Sequence, residues 1–223
     1  MAFTSTDQPD RGPFVARTIE AARAWMSDHS DRSRAQRAAG TAFLIRVASA
    51  ALLYVSQVLF ARWMGSFEFG VYVYVWTWVL LLGGLVDLGI ATGSQRFIPE
   101  YTGTGRLDML RAFLSGSRWL VVAMATVWAL AAALGVWLFS AHLDAYEIMP
   151  LYIACAGLPL FVLGRLQDGI ARSYDWINLA LMPPYVIRSL LLILAMGAAW
   201  WLKLPTDAAT AMLAAVATTW VTV

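Results

Sequence analysis

Apolar residues in this chain fall in blocks of about 17 to 25, separated by shorter polar links. A helix of about 20 apolar residues crosses a ~30 Å hydrocarbon core. The pattern predicts six membrane-crossing helices, at about 41–63, 69–93, 119–140, 148–171, 185–202 and 207–223. The expected fold class is therefore all-α, a polytopic transmembrane helix bundle. Three links, GSFEFG at 65–70, AHLDAYE at 141–147 and KLPTD at 203–207, are short, which makes neighbouring helices antiparallel partners. The longer link after the second block holds Leu107, Leu110 and Leu114 at helical spacing, as in an amphipathic lead-in lying on the membrane surface. Pro99 is expected to stop the second helix, and Pro183–Pro184 to keep the fourth link apart from the fifth helix.

Residues 1–40 are polar and mixed in charge, and read as a cytoplasmic tail. Phe14, Ile19, Ala22, Trp25 and Met26 gather near one helical face, with Arg17, Glu20 and Arg23 around the other. Two readings stand: an interfacial helix, or a tail without fixed structure. No charged start followed by a short apolar run and a cleavage site is present, so no signal peptide is expected. At the other end, the sixth block is still apolar at Val223 and reads as part of a longer chain, with Trp220 a candidate interfacial anchor.

Composition strengthens the membrane reading. The chain is 60% hydrophobic and only 13% charged, whereas an ordinary soluble domain carries about a quarter charged residues. Too little charge remains to build a solvated surface. The distribution of charge then orients the bundle. Of 16 Arg and Lys residues, twelve lie in the tail and in the second and fourth links. Only Arg62 and Lys203 fall on the opposite side, while Arg46 and Arg188 lie inside helices. By the positive-inside rule the N terminus is cytoplasmic, in a multi-pass protein of the cell inner (cytoplasmic) membrane.

The sequence lacks the usual catalytic signatures. It has no HExxH, CxxC, phosphate-binding loop or dinucleotide fingerprint. His29 and His142 lie in separate connections, and Cys155 is a lone cysteine in an apolar block. No enzyme activity, cofactor, metal or nucleic-acid partner is expected.

Polar groups inside the apolar blocks are the informative residues, because a charge in hydrocarbon costs ~3 to more than 10 kcal/mol unless it has a partner or water. Arg46, Ser49, Ser56 and Gln57 form a stripe on the first helix, with Arg46 ~7 Å deep. It is either a snorkelling arginine beside small contact residues or the lining of a polar path. Asp87 lies ~13 Å deep on the second helix. It is either half of a structural ion pair, Arg46 being the nearest candidate, or a proton- or cation-responsive site. Arg188 lies about four residues inside the fifth helix, shallow enough to snorkel. Gly89 and Gly93 have the spacing of a close helix contact.

The stretch RWMGSFEFGVYVYVWTWVLLLGGLVDLGI, followed by SQRFIPEY and GRLDMLRAFL, resembles the opening helices of polysaccharide and lipid-linked-oligosaccharide flippases, in the multidrug/oligosaccharidyl-lipid/polysaccharide exporter superfamily. The shared features are a turn with Gly65, Phe69, Gly70 and Tyr72, the triplet Asp87-Leu88-Gly89, and the exit from Arg96 to Glu100. The likeness covers about residues 41–118 and is diffuse beyond.

Proteins of this kind carry roughly 12 to 14 helices in two lobes that alternate access to the two sides. The resemblance thus implies that this chain is the first lobe, with a missing C-terminal lobe as its partner. It implies a polyprenyl-diphosphate-linked oligosaccharide as cargo, moved between leaflets amid membrane lipids for surface polysaccharide biosynthesis. Arginine suits the diphosphate because it donates bidentate hydrogen bonds to phosphate oxygens. Arg46 is then the first candidate contact and Arg188 the second. Ser49, Ser56 and Gln57 would line the path, and Asp87 would take part in ion coupling.

Three rival readings remain at this level. A drug/cation antiporter of the same superfamily calls for more acids in the cavity. A membrane-embedded glycosyltransferase or ligase calls for a large outside loop. A non-catalytic membrane scaffold calls for neither.

Overall fold

The computed structural model describes residues 31–223. The expected interfacial helix at 14–26 lies outside them. The chain divides into two compact units, 1–43 and 44–223. The described residues of the first, 31–43, are helical, and the second unit holds the helix bundle.

Among the described residues the elements are all helical. They are α1 (Asp31–Asp87), α2 (Ile90–Gly103), α3 (Leu107–Leu138), α4 (Ala145–Ser173), α5 (Ile177–Leu181), a π-helical turn (Met182–Ile187), α6 (Arg188–Trp201) and α7 (Ala208–Thr222). A 3₁₀ turn at Ser140–His142 links α3 to α4. Four stretches are long and apolar enough to cross a membrane: Phe43–Asp87, Leu107–Leu138, Ala145–Ser173 and Leu179–Trp201. The architecture is thus that of a multi-pass membrane helix bundle. The first stretch holds two of the expected blocks, and α7 is a shorter apolar helix of 15 residues.

The long α1 is a hairpin. Gly65 has φ 82 and ψ 163, a backbone region essentially restricted to glycine. The Phe60 and Tyr72 rings lie 6.1 Å apart, although twelve residues of straight helix would separate them by ~18 Å. The expected six-residue turn is therefore one residue, and residues 66–70 are already helical.

The reversal frees backbone groups that hydrocarbon would leave without partners. The Thr206 hydroxyl donates to the Trp63 carbonyl at 3.0 Å. Glu68 Oε2 accepts from the Ala208 amide at 2.8 Å, and Asp207 Oδ1 accepts from the Thr210 amide at 2.8 Å. The start of α7 is thus capped twice, once by its own aspartate and once by a carboxylate from the hairpin. Phe67 packs on Tyr146 at 4.9 Å, bringing the α3–α4 link to the same end.

The second expected block also breaks. Leu88 (φ 46) and Gly89 (φ 76) are consecutive left-handed residues, so the chain leaves α1 at Asp87 and restarts as α2 at Ile90. Pro99 lies inside α2 rather than ending it. The carbonyl it deprives of a donor belongs to Gln95, an exposed residue. Pro183–Pro184 likewise do not separate the fourth link from the fifth helix. They lie within the π-helical turn that joins α5 to α6, where a wider ring relieves the missing amide donors. The lead-in at Leu107, Leu110 and Leu114 is not a separate surface helix either, since α3 is continuous from Leu107 to Leu138.

Helix α3 shows the lipid-facing logic. Its buried residues are Ser117, Val121, Ala125 and Ala129, a single i, i+4 seam. Trp119 and Trp137 are both exposed and stand 18 residues apart, ~27 Å along the axis. That is close to the ~30 Å hydrocarbon thickness, the separation expected of indoles that anchor a helix at two membrane boundaries.

Among the glycines, the tightest contacts to another helix are made by those of α4 rather than by Gly89 and Gly93. A Cβ at Gly157 would lie 2.5 Å from Val216, and one at Gly169 would lie 2.3 Å from the Ala91 carbonyl oxygen. A Cβ at Gly89 would meet nothing within 4 Å, and one at Gly93 only Phe97 of its own helix. Without a hydrophobic drive between helices in lipid, such close packing is a main source of association.

Candidate functional site

Away from the Gly65 turn, α1, α4, the α5–α6 junction and α7 diverge around a cleft of about 750 Å³. Both arms of the hairpin contribute, Ser49 and Leu53 from the first and Trp76 and Leu80 from the second. Helix α4 adds Phe161, Arg165, Gln167 and Asp168. The junction adds Tyr185 and Arg188, and α7 adds Thr219 and Thr222. The volume lies in the range of small-molecule sites. The lining is mainly apolar with polar groups at a few points, as such sites usually are.

The charges there differ in how they are held. Asp168 is bound bidentate by Arg172, Nε to Oδ1 at 2.9 Å and Nη2 to Oδ2 at 2.8 Å. This is an i, i+4 pair along α4. Asp87 is only 5% exposed. Its Oδ1 accepts from the Ala91 amide at 3.3 Å, capping the restart of α2. Its Oδ2 lies 3.7 Å from Arg165 Nη2, an ion pair without a hydrogen bond. Arg165 keeps 43% of its side chain exposed and lines the cleft.

Arg188 is held differently from Arg165 and Arg172. Its Nε is buried with no hydrogen-bond partner among the described residues, and its Cζ lies 4.5 Å over the Trp76 ring. In place of a carboxylate it rests on an aromatic face.

The cleft brings together two of the sequence-predicted site residues, Ser49 and Arg188. The Ser49 hydroxyl donates to the Arg46 carbonyl at 2.8 Å, which leaves its oxygen lone pairs free to accept. Arg46 and Gln57 are exposed and Ser56 is buried; none of the three lines the cleft. The Ser56 hydroxyl donates to the Leu53 carbonyl at 2.7 Å, so it is satisfied within its own helix. Asp87 reaches the cleft only through Arg165, and that pairing replaces the expected approach to Arg46.

Sequence reasoning misses Arg165, Asp168, Trp76 and the α7 threonines as lining residues. Arg165 and Arg172 read as link charges that orient the bundle, which hides their place on a helix that runs to Ser173. The Asp168–Arg172 spacing is the visible signal.

Among the described residues no group of three or more His, Cys, Asp or Glu could hold a metal ion. A second cavity of about 350 Å³ between α1, α3 and α4 is almost wholly apolar, lined by Trp78, Leu82, Val136 and Cys155 among others.

The class defined by this fold is an all-α, multi-pass membrane protein with a mainly apolar cleft that holds Arg165, Asp168 and Arg188. Comparison with protein-family models, curated proteins and solved structures finds no match.

Proposed function

We propose that this protein is the first lobe of a membrane transporter for a polyprenyl-diphosphate-linked oligosaccharide. It moves this cargo from the cytoplasmic to the outer leaflet of the cytoplasmic membrane, for surface polysaccharide biosynthesis, by alternating access with a second lobe. In this reading α1 crosses twice and α7 once, giving six spans with the N terminus inside. The cleft then opens to the cytoplasm, where the cargo is made.

The observation that carries the reading is the state of Arg165 and Arg188. They converge from different helices on one cleft, the first loosely paired and the second without a hydrogen-bond partner at Nε among the described residues. A diphosphate offers the acceptors these guanidiniums lack. The apolar walls suit a prenyl chain, and Tyr185 lines the cleft as an aromatic partner for a sugar ring. The antiporter reading is less well served. Among the described residues the one carboxylate lining the cleft, Asp168, is already neutralised by Arg172, which leaves little to attract a cation.

The test is binding of a short-chain polyprenyl diphosphate to the full chain in phosphatidylcholine nanodiscs. Removing one charged donor from a phosphate contact costs about 1.5–3 kcal/mol, roughly 10- to 100-fold in affinity. Arg188→Gln is expected to lose that much and Arg165→Gln somewhat less. Arg46→Ala is expected to stay within about twofold of wild type, since Arg46 does not line the cleft. Equal affinity in wild type, Arg188→Gln and Arg165→Gln would refute the assignment. In the reconstituted two-lobe transporter, the coupling role of Asp87 predicts that Asp87→Asn flattens the pH profile of transport.

A further inference from the structure

The way Arg188 is held goes beyond its presence in the cleft. A guanidinium in hydrocarbon is normally fixed by a carboxylate, as Arg172 is by Asp168 through two hydrogen bonds. Such a partner satisfies the charge but occupies its donors. The face of an indole does the first without the second: it attracts the cation through its quadrupole and takes no N–H. Arg188 sits 4.5 Å over Trp76, with Nε buried and unpaired among the described residues.

Trp76 is itself held from two sides. Phe161 meets it edge-on at 5.6 Å and 81°, and Tyr72 stacks at 6.4 Å and 17°. Phe161 in turn lies against Gly83, where an added Cβ would come within 2.7 Å of the ring. The bare glycine lets the phenyl ring come close enough to buttress the indole. The result is a rigid aromatic shelf, built from α1 and α4, beneath an arginine contributed by α6.

We propose that Trp76 is a positioning residue that presents Arg188 to a phosphate-type oxyanion in the cleft through its Nη donors, which no other described group takes. It holds the charge in place while leaving the hydrogen bonds for the ligand. This rests on the anion-binding reading of the cleft, and it adds which residue makes Arg188 competent.

The experiment uses the full chain in phosphatidylcholine nanodiscs, titrated with inorganic pyrophosphate by calorimetry. Wild type is compared with Arg188→Gln, Trp76→Leu and Trp76→Phe. Arginine Nε–H signals are recorded in parallel by nitrogen-15 NMR. The Arg188 signal is identified by its loss in Arg188→Gln, and the Arg172 signal reports whether the neighbouring fold is intact.

Trp76→Leu is expected to weaken pyrophosphate binding about tenfold and to shift the Arg188 signal, with the Arg172 signal in place. Trp76→Phe keeps a ring face and is expected to stay within about threefold of wild type. If Arg188→Gln weakens binding while Trp76→Leu binds like wild type, the positioning role fails and the anion site stands. If Trp76→Phe loses as much as Trp76→Leu, the ring face is not what matters and the proposal is overturned. If wild type binds no pyrophosphate, or Arg188→Gln binds it equally well, both the positioning role and the anion site are overturned.

Discussion

The two ends of this bundle treat their polar groups in opposite ways. At the Gly65 end, chain reversal frees a carbonyl at Trp63 and amides at the start of α7. Side chains close them: Thr206, Glu68 and α7's own Asp207. At the cleft end, charged groups are brought in from three helices and only partly closed. Arg172 is fully paired, Arg165 sits 3.7 Å from its carboxylate, and Arg188 has a ring where an acceptor would be. Unsatisfied polar groups cost more in a low dielectric than in water. On the proposed reading, leaving them open at one end keeps that end for a ligand, while closing them at the other makes it a fixed joint.

The contrast breaks most severely if the cleft end is merely slack. Gly169 tests that. A side chain there would collide with the Ala91 backbone oxygen at 2.3 Å, and backbone, unlike a side chain, has little room to yield. Gly169→Leu is expected to cost about 3 kcal/mol or more, read as a lower SDS fraction at the unfolding midpoint in mixed micelles. A cost under about 0.5 kcal/mol would mean α2 and α4 are not locked together beside the cleft. Next in size is the joint itself. Gly65→Ala forces a side chain into φ 82 and is expected to cost about 2 kcal/mol by the same measure. Glu68→Ala removes one of the two caps of α7 and is expected to cost about 1 kcal/mol. Glu68→Gln, whose amide oxygen still accepts, is expected to recover most of it.

Much of the helical layout is legible in the chain, because in lipid the length of an apolar block and the helix that fills it are tied together. The span at 148–171 and α4 agree to within three residues at either end. The breaks are harder to read. Pro99 and Pro183–Pro184 read as stops, yet helix continues through them, since a wider turn or an exposed carbonyl absorbs the lost donor. Leu88 takes a left-handed conformation that no propensity rule assigns to leucine. At the cleft, Arg188 and Ser49 are legible as polar residues out of place in apolar helices. Trp76 is not, because an indole among eleven tryptophans reads as an interfacial anchor until the arginine above it is seen. The Asp87–Arg165 pair joins residues 78 apart in sequence, and nearest-neighbour pairing of antiparallel helices points to Arg46 instead.

The smallest expected effect is the one that sharpens the comparison most. If Arg188 were a structural element, removing its charge would leave the Trp76 shelf without its cation and the bundle weaker. If instead it is held open for a ligand, the folded state without ligand gains little from it. Burial of an unpaired Nε is a cost, and it offsets the ring contact. Arg188→Gln is therefore expected to change the unfolding midpoint by less than about 0.5 kcal/mol equivalent while losing anion affinity. Arg172→Gln should do the reverse. Arg172 holds Asp168 by two hydrogen bonds, and its removal leaves a half-buried carboxylate unpaired, at a cost of about 1–2 kcal/mol. A large stability loss in Arg188→Gln, equal to that in Arg172→Gln, would place both arginines in the scaffold and erase the distinction between the open end and the closed one.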